Sequence, residues 1–328
     1  MKKIWINVDP KKVDIGQLIA SLGSDYEVFA RAIPSSDVTS ILETTSECDA
    51  IISTLELWDD NLLSCAGEKL KLIQKYGMGL DNIDLEAAAK RGIAVANVSG
   101  ANAAAVAEVA LLHILNLGRN FYSCVEGVRH GVWPSTITGT ELDGKTVGLL
   151  GYGNIAQNLA RMLSGFQTRI LAYDPYVNTE KVSGPVVMVE SREELFAQSD
   201  FLSLHVPCAP ETLSSIDQEV FGQMKKGAFL VNTCRGKVVN EVHLAQALRN
   251  GQLKGAGLDV LWNEPLEGDC PLIGLENVFI TSHMGAESVE AGHRSQKIMA
   301  DTIVSYFRGD ITQYVRNVDG LRKYGRLL

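Results

Sequence analysis

Between the apolar run TVGLLG and the helical stretch NIAQNLARML, the chain carries Gly151, Gly153 and Ala156 at the spacing G-x-G-x-x-G/A. That context admits few folds. A strand turning through glycine into a helix opens a βαβ unit, and the helix N-terminus presents backbone amides that a pyrophosphate can approach. The spacing places Gly151, Gly153, Asn154 and Ile155 against a dinucleotide. Asp174, in ILAYDP, ends the next strand near the expected offset of about 20 residues. A carboxylate there accepts from an adenosine ribose and repels a 2'-phosphate, so NAD is expected in preference to NADP. No arginine follows Asp174 immediately, which points the same way. The plainer alternatives are a glycine turn of any α/β protein and, for Asp174, a turn residue before Pro175.

The rest of the chain repeats the strand and helix alternation. KIWINVD, DYEVFAR, DAIISTL, LKLIQKYG and IAVANV are short apolar runs separated by polar helical stretches such as DLEAAAKRG. Six more runs follow: TVGLLG, RILAYD, DFLSLHV, GAFLVNTC, KGAGLDV and VFITSH, continuous as buried parallel strands are. At 328 residues the chain exceeds what one hydrophobic core covers, so two domains with a cleft are expected. Ala101–Arg119 reads as a helix, with turn and cap chemistry in SGAN before it, carrying the chain into the second domain.

Composition removes several classes of function. The N-terminus MKKIWINVDPKKVDIG has no apolar core of the length a signal peptide needs, and no run approaches the roughly 18 apolar residues of a membrane span. The six cysteines lack CxxC or metal-ligand spacing and read as reduced thiols of a cytoplasmic protein; no metal is expected. A net charge of -9 disfavours nucleic acid, so an anionic substrate must be held by local positive charge.

Late in the chain stand Arg235 in NTCRG, Glu264 in LDVLWNEP and His283 in ITSHMG. A cation that holds a carboxylate and polarises a carbonyl, an imidazole that moves a proton and a carboxylate that fixes the imidazole are what hydride transfer to a 2-keto acid requires. With these motifs, and from KYGMGLDNIDLEAAAKRGI through SHMGAESVEA, the sequence resembles the D-isomer-specific 2-hydroxyacid dehydrogenases over nearly its whole length.

The resemblance implies two doubly wound parallel-sheet α/β domains. A Rossmann dinucleotide-binding domain (101–286) is inserted in a flavodoxin-like substrate domain (1–100 and 287–328), both crossings acting as hinges. It implies catalysis by Arg235, Glu264 and His283, and substrate binding by the backbone of Met78 and Gly79, by Asn102 and by Arg235. A cofactor wall of His205, Pro207 and Thr212 is implied, with Thr233, Cys234, Arg235, Asp259, His283 and Gly285 completing the NAD site. Asp259 is equally explained as a buried structural carboxylate, Asn102 as a helix cap, and YGMGLDNID as a tight turn. Cys234 beside Arg235 suggests thiol sensitivity. A homodimer is implied.

Relatives on the same scaffold leave alternatives open. Phosphite or 3-phosphoglycerate dehydrogenases share the triad, formate enzymes usually carry glutamine where Glu264 stands, and nucleotide-sensing corepressors keep the triad too. In place of the arginines that phosphoglycerate enzymes tend to carry after the third strand, this chain has STLELWDDN. Glu56 and Asp59 there replace positive charge with negative. Small unphosphorylated acids such as hydroxypyruvate, glyoxylate or pyruvate are the expected substrates.

Overall fold

Every apolar run named above becomes a parallel strand in the computed structural model, which describes residues 1–11, 13–134, 136–182, 184–266 and 268–327. The strands fall into two units: Met1–Asn102 with Ser288–Leu328, and Ala103–Glu287.

In the first unit, β1 (Lys2–Ile6), β2 (Tyr26–Ala30), β3 (Ala50–Ser53), β4 (Leu72–Lys75) and β5 (Ala94–Ala96) form one sheet in the order β2-β1-β3-β4-β5. This is the flavodoxin-like order, reversing direction between β1 and β3. Its early helices are short, so their ends matter. Asp14, Asp37, Asp59 and Asp84 each cap one, accepting from the amide three residues on. Trp5 and Trp58 are fully buried; Trp5 Nε1 donates to the Arg31 carbonyl at 2.9 Å and Trp58 Nε1 to Ser53 Oγ at 2.8 Å. The chain returns through the helix Val289–Phe307, which packs on the helix Ile15–Leu22. Its tail then covers the β5 edge, where Arg316 N donates to the Val95 carbonyl at 2.7 Å and Asn317 Oδ1 accepts from Val95 N at 2.9 Å.

The second unit has seven strands where the sequence suggested six. They are β6 (Thr146–Leu150), β7 (Arg169–Tyr173), β8 (Val186–Met188), β9 (Phe201–Leu204), β10 (Ala228–Asn232), β11 (Leu253–Leu258) and β12 (Val278–Ile280), in the order β12-β11-β10-β9-β6-β7-β8. The added strand, β8, is three residues at the sheet edge with Val187 half exposed, too short and too open to read as a buried run. The Ala- and Leu-rich helix runs Ala103–Arg119, two residues later than expected. It lies on β10 and β11. His113 on this helix packs against Gly257, where any Cβ would stand 2.7 Å from the histidine. Among the described residues no helix is long and apolar enough to cross a membrane.

Candidate active site

In the second unit, β6 and β9 are neighbours across the reversal of strand order, and the glycine loop leaves the carboxyl end of β6 there. Gly151 has φ +90, and a Cβ would lie 2.5 Å from the His205 carbonyl oxygen, so backbone lies on backbone. The helix Asn154–Leu163 then starts at Gly153 with no side-chain cap, whereas Ser191, Asp217 and Asn240 cap the helices that follow. Uncapped amides beside an open glycine are a fitting place for phosphate oxygens. Asp174 Oδ2 accepts from Tyr152 N at 2.9 Å and Oδ1 from Tyr176 N at 2.9 Å. One carboxylate thus shapes the glycine loop and makes the turn the sequence allowed as an alternative.

Two buried polar atoms nearby have no hydrogen-bond partner among the described residues: His205 Nδ1 and Thr233 Oγ1. Both belong to residues expected to face the cofactor, and the orphaned atoms fit a polar ligand. His205 Nε2 meets Ser203 Oγ at 2.9 Å, and desolvation pushes its pKa down to about 4, so the ring stays neutral. Thr212 Oγ1 donates to the Pro207 carbonyl at 2.6 Å and accepts from Ala209 N at 2.8 Å, which fixes the loop after β9. Cys234 is buried, and burial drives its thiol up to about 11, which works against the thiol sensitivity suggested by the sequence.

Arg235, Glu264 and His283 follow the ends of β10, β11 and β12, three neighbouring strands. Gly236 packs on the Leu261 backbone so tightly that a Cβ would fall 1.9 Å from its carbonyl carbon, which joins the arginine loop to the glutamate loop. Arg235 Nη1 donates to the Cys234 carbonyl at 2.7 Å. Glu264 divides its two oxygens: Oε1 accepts from Leu261 N at 2.9 Å and Oε2 meets His283 Nδ1 at 2.6 Å. That contact engages only Nδ1 and leaves the other ring nitrogen, Nε2, outside the pair.

The hydrogen bond from Glu264 raises the His283 pKa, outweighing desolvation and the nearby Arg235 charge. Glu264 moves the opposite way: burial works to raise it, but the His283 and Leu261 hydrogen bonds hold it below the usual carboxylate value. Both side chains keep a third or more of their surface open, at 51% for His283 and 38% for Glu264.

His283 itself has φ +55, a left-handed conformation that costs a non-glycine residue. Asp259 holds it there. The carboxylate is 1% exposed and accepts from Thr281 Oγ1 at 2.6 Å, Met284 N at 2.9 Å and Gly285 N at 2.8 Å, bracketing the histidine on both sides. Because the Thr281 hydroxyl spends its proton on Asp259, His113 Nε2 must donate to Thr281 Oγ1 across 3.2 Å. Burial lowers the His113 pKa and keeps that ring neutral. Two supports escaped the sequence. Glu241 Oε1 accepts from Trp262 N at 2.7 Å, steadying the Glu264 loop, and burial raises its pKa. Asn232 binds both Cys234 N and the Arg235 carbonyl. Glu241 reads in sequence as a first-turn helix acid behind the cap Asn240, so only its position shows the second role.

Met78, Gly79 and Asn102 lie in the first unit. Met78 and Gly79 follow β4, where Asn97 Nδ2 donates to the Met78 carbonyl at 2.7 Å. Asn102 Oδ1 is buried without a hydrogen-bond partner among the described residues. Glu56 departs from its expected role: it is 1% exposed and its carboxylate is turned inward, accepting from Asn7 Nδ2, from Ser53 Oγ at 2.5 Å and from Thr54 N at 2.7 Å. Asp59 caps its helix. Glu56 therefore offers no negative charge to a ligand. Among the described residues no group of three or more histidine, cysteine, aspartate or glutamate side chains could hold a metal ion.

Residues 111–285 match the family described as D-isomer specific 2-hydroxyacid dehydrogenase, NAD binding domain. The glyoxylate reductase of Korarchaeum cryptofilum (strain OPF8) is 38% identical over 285 residues, covering 85% of each chain. The chain belongs to this family. The D-3-phosphoglycerate dehydrogenase of Mycobacterium leprae (strain TN) is 37% identical over 303 residues; these are 92% of this chain but 57% of that enzyme, so the chain spans little more than half its length. Among solved structures, a glyoxylate reductase from Paecilomyes thermophila superposes with a TM-score of 0.86 at 26% identity, covering 95% of this chain and 97% of that one. The match to the family's NAD-binding domain falls within the Ala103–Glu287 unit, whose orphaned Thr233 and His205 atoms and uncapped glycine-loop helix suit that cofactor.

Proposed function

We propose that the protein is an NAD-dependent oxidoreductase interconverting a small D-2-hydroxy acid and its 2-keto acid, with Arg235, Glu264 and His283 catalytic. The His283 Nδ1 to Glu264 Oε2 contact of 2.6 Å carries the reading, since it fixes the imidazole with Nε2 toward the substrate. The glycine loop and Asp174 would hold the nicotinamide cofactor, which when bound would supply the hydride for the carbonyl carbon in reduction and accept it in oxidation. His283 Nε2 donates its proton to the nascent hydroxyl oxygen in reduction and accepts it in oxidation. Glu264 stabilises the imidazolium. Arg235 binds the substrate carboxylate and polarises the carbonyl. In the first unit, which we assign to substrate binding, the backbone at Met78 and Gly79 takes the carboxylate and Asn102 a further polar group.

Asp174 disfavours a 2'-phosphate and so favours NAD over NADP. Relatives named as glyoxylate and 3-phosphoglycerate enzymes support the reaction class, and loops free of lysine and arginine over 53–61 and 76–84 favour unphosphorylated acids. We further assign the protein to the cytoplasm, in keeping with six free cysteines, and to a homodimer. The helix Phe121–Arg129 supports the dimer, having no buried residue and an apolar surface at Phe121, Tyr122 and Val128, with Val132 and Trp133 beyond it.

The deciding experiment is NADH oxidation with a panel of 2-keto acids, the product resolved on a chiral column. D-hydroxy acid formation is expected. An L product, or no turnover with any acid, overturns the proposal.

A further inference from the structure

Two successive carbonyls of the loop after β4 face the same way. Val98 N donates to the Gly77 carbonyl at 3.2 Å and Asn97 Nδ2 to the Met78 carbonyl at 2.7 Å, so both oxygens are held by the segment that follows β5. A strand would alternate them. The chain bends over 76–78 instead, with Gly77 at φ +135, an angle that side chains rarely allow. In a trans peptide the carbonyl and the following N–H point in opposite directions, so anchoring these two oxygens aims Met78 N and Gly79 N together at the other side. Among the described residues neither amide donates to another backbone group. Successive amides turned to one side of a bend make a concavity that binds anions.

The aim of the Gly79 amide depends on Asn97, and Asn97 is itself constrained. It is 5% exposed, and its side-chain atoms are divided: Nδ2 serves Met78, while Oδ1 accepts from Arg316 Nε at 2.9 Å and from Ser99 N at 3.3 Å. A primary amide turned over exchanges its acceptor for its donors. Here that would set NH2 against two N–H groups and oxygen against a carbonyl. Of the two bonds that prevent it, the one from Arg316 is the shorter and is charge-assisted, so it is the stronger. Arg316 comes from the far end of the chain. Its segment is stapled along β5: Asn97 N donates to the Tyr314 carbonyl at 3.1 Å, Val315 bridges Ala96 in antiparallel register, and Asn317 Nδ2 donates to the Ile93 carbonyl at 2.9 Å.

We propose that Arg316 is a positioning residue for substrate binding, acting through Asn97 to hold the Met78 and Gly79 amides toward the substrate carboxylate. The inference rests on the 2-keto acid reading above and deepens it. Arg316 is exposed, and what it supplies is one N–H at a fixed place. The carboxylate is bound alike in the ground state and the transition state, so loosening its amides should appear in KM and spare kcat.

Two substitutions of equal reach separate the hydrogen bond from the charge. In Arg316→Gln the amide nitrogen stands as many bonds from Cα as the arginine Nε and still donates to Asn97, without charge; Arg316→Met has the same length and no donor. We expect Arg316→Met to raise KM by about fivefold for every 2-keto acid the enzyme reduces, glyoxylate and pyruvate among them, and the inhibition constant of oxamate by the same factor. A common factor follows because these anions share the carboxylate and differ beyond it. The kcat, the KM for NADH and the melting temperature should stay near wild type. Arg316→Gln should bring the KM back to within about twofold of wild type. Asn97→Asp keeps an acceptor for Arg316 but has no N–H for Met78, and should raise the same KM by about tenfold or more. An unmoved KM in Arg316→Met or in Asn97→Asp overturns the inference, as does a rise that glutamine fails to reverse, or one in Arg316→Met accompanied by an equal loss of kcat and a lower melting temperature. Each of these leaves the reaction class standing. No turnover of any 2-keto acid overturns the reaction class, and this inference with it.

Discussion

His283 Nε2 is the atom on which both directions of the proposed reaction turn, and its protonation is set by Glu264 at 2.6 Å on the opposite ring nitrogen. Reduction requires the imidazolium, so its rate should hold at low pH and fall as pH rises through the raised His283 pKa; oxidation should fall as pH drops through it. Glu264→Gln removes the charge that raises this pKa, and the reductive limb should move to lower pH. An unmoved limb in a pH profile of kcat/KM would leave Glu264 with a structural role alone. Asp174 invites a cofactor test. Asp174→Ser should narrow the preference for NADH over NADPH, and it should also weaken the glycine loop, because Tyr152 N loses its acceptor. A wild type equally efficient with both cofactors would sink this reading.

The strand ends are where single residues become a site. Asp259 closes the β12 loop with three hydrogen bonds, and each donor left unsatisfied by Asp259→Ala costs about 1–3 kcal/mol. The variant should melt at lower temperature and lose kcat by more than it loses NADH affinity, since His283 is released from φ +55 while the glycine loop is untouched. Equal losses in both would mean that Asp259 serves stability alone. Gly236→Ala should separate the Arg235 and Glu264 loops, because its Cβ would stand 1.9 Å from the Leu261 carbonyl carbon; full activity with unchanged melting would show that the loops need not touch.

Much of this scale was legible in sequence, because buried parallel strands must be continuous apolar runs and the glycine loop must follow one. β8 was not, being a short edge strand half open to solvent. Nor were the atoms that meet. Spacing cannot say that Glu264 divides its oxygens between Leu261 and His283, that Glu241 reaches Trp262, or that Glu56 points inward, since each depends on contacts between segments far apart or on a loop's turn.

At the scale of the whole molecule, the first unit is assembled from two pieces of chain with all of Ala103–Glu287 between them. Arg294 Nε donates to the Ala101 carbonyl at 2.7 Å, so the two pieces meet close to where the chain departs and returns. Were the inserted unit unfolded, joining those pieces would carry a loop-closure cost of about 4–5 kcal/mol. A folded insertion removes much of that cost. The stability of the first unit should therefore depend on a core it does not contain.

The tryptophans make that dependence visible. Trp5 and Trp58, fully buried, belong to the first unit, whereas Trp133 and Trp262 in the second are 83% and 37% exposed. Unfolding should shift the emission of the first pair strongly to the red, Trp262 less and Trp133 hardly at all, so intrinsic fluorescence weights the first unit. Phe196→Ala, in the core of the other unit, removes a side chain worth about 3–5 kcal/mol, and it should lower the urea midpoint seen by this emission. A fluorescence midpoint indifferent to that distant cavity would show that the two halves of the chain keep their stabilities separate, and that the optical signal of this protein reports on a single autonomous body.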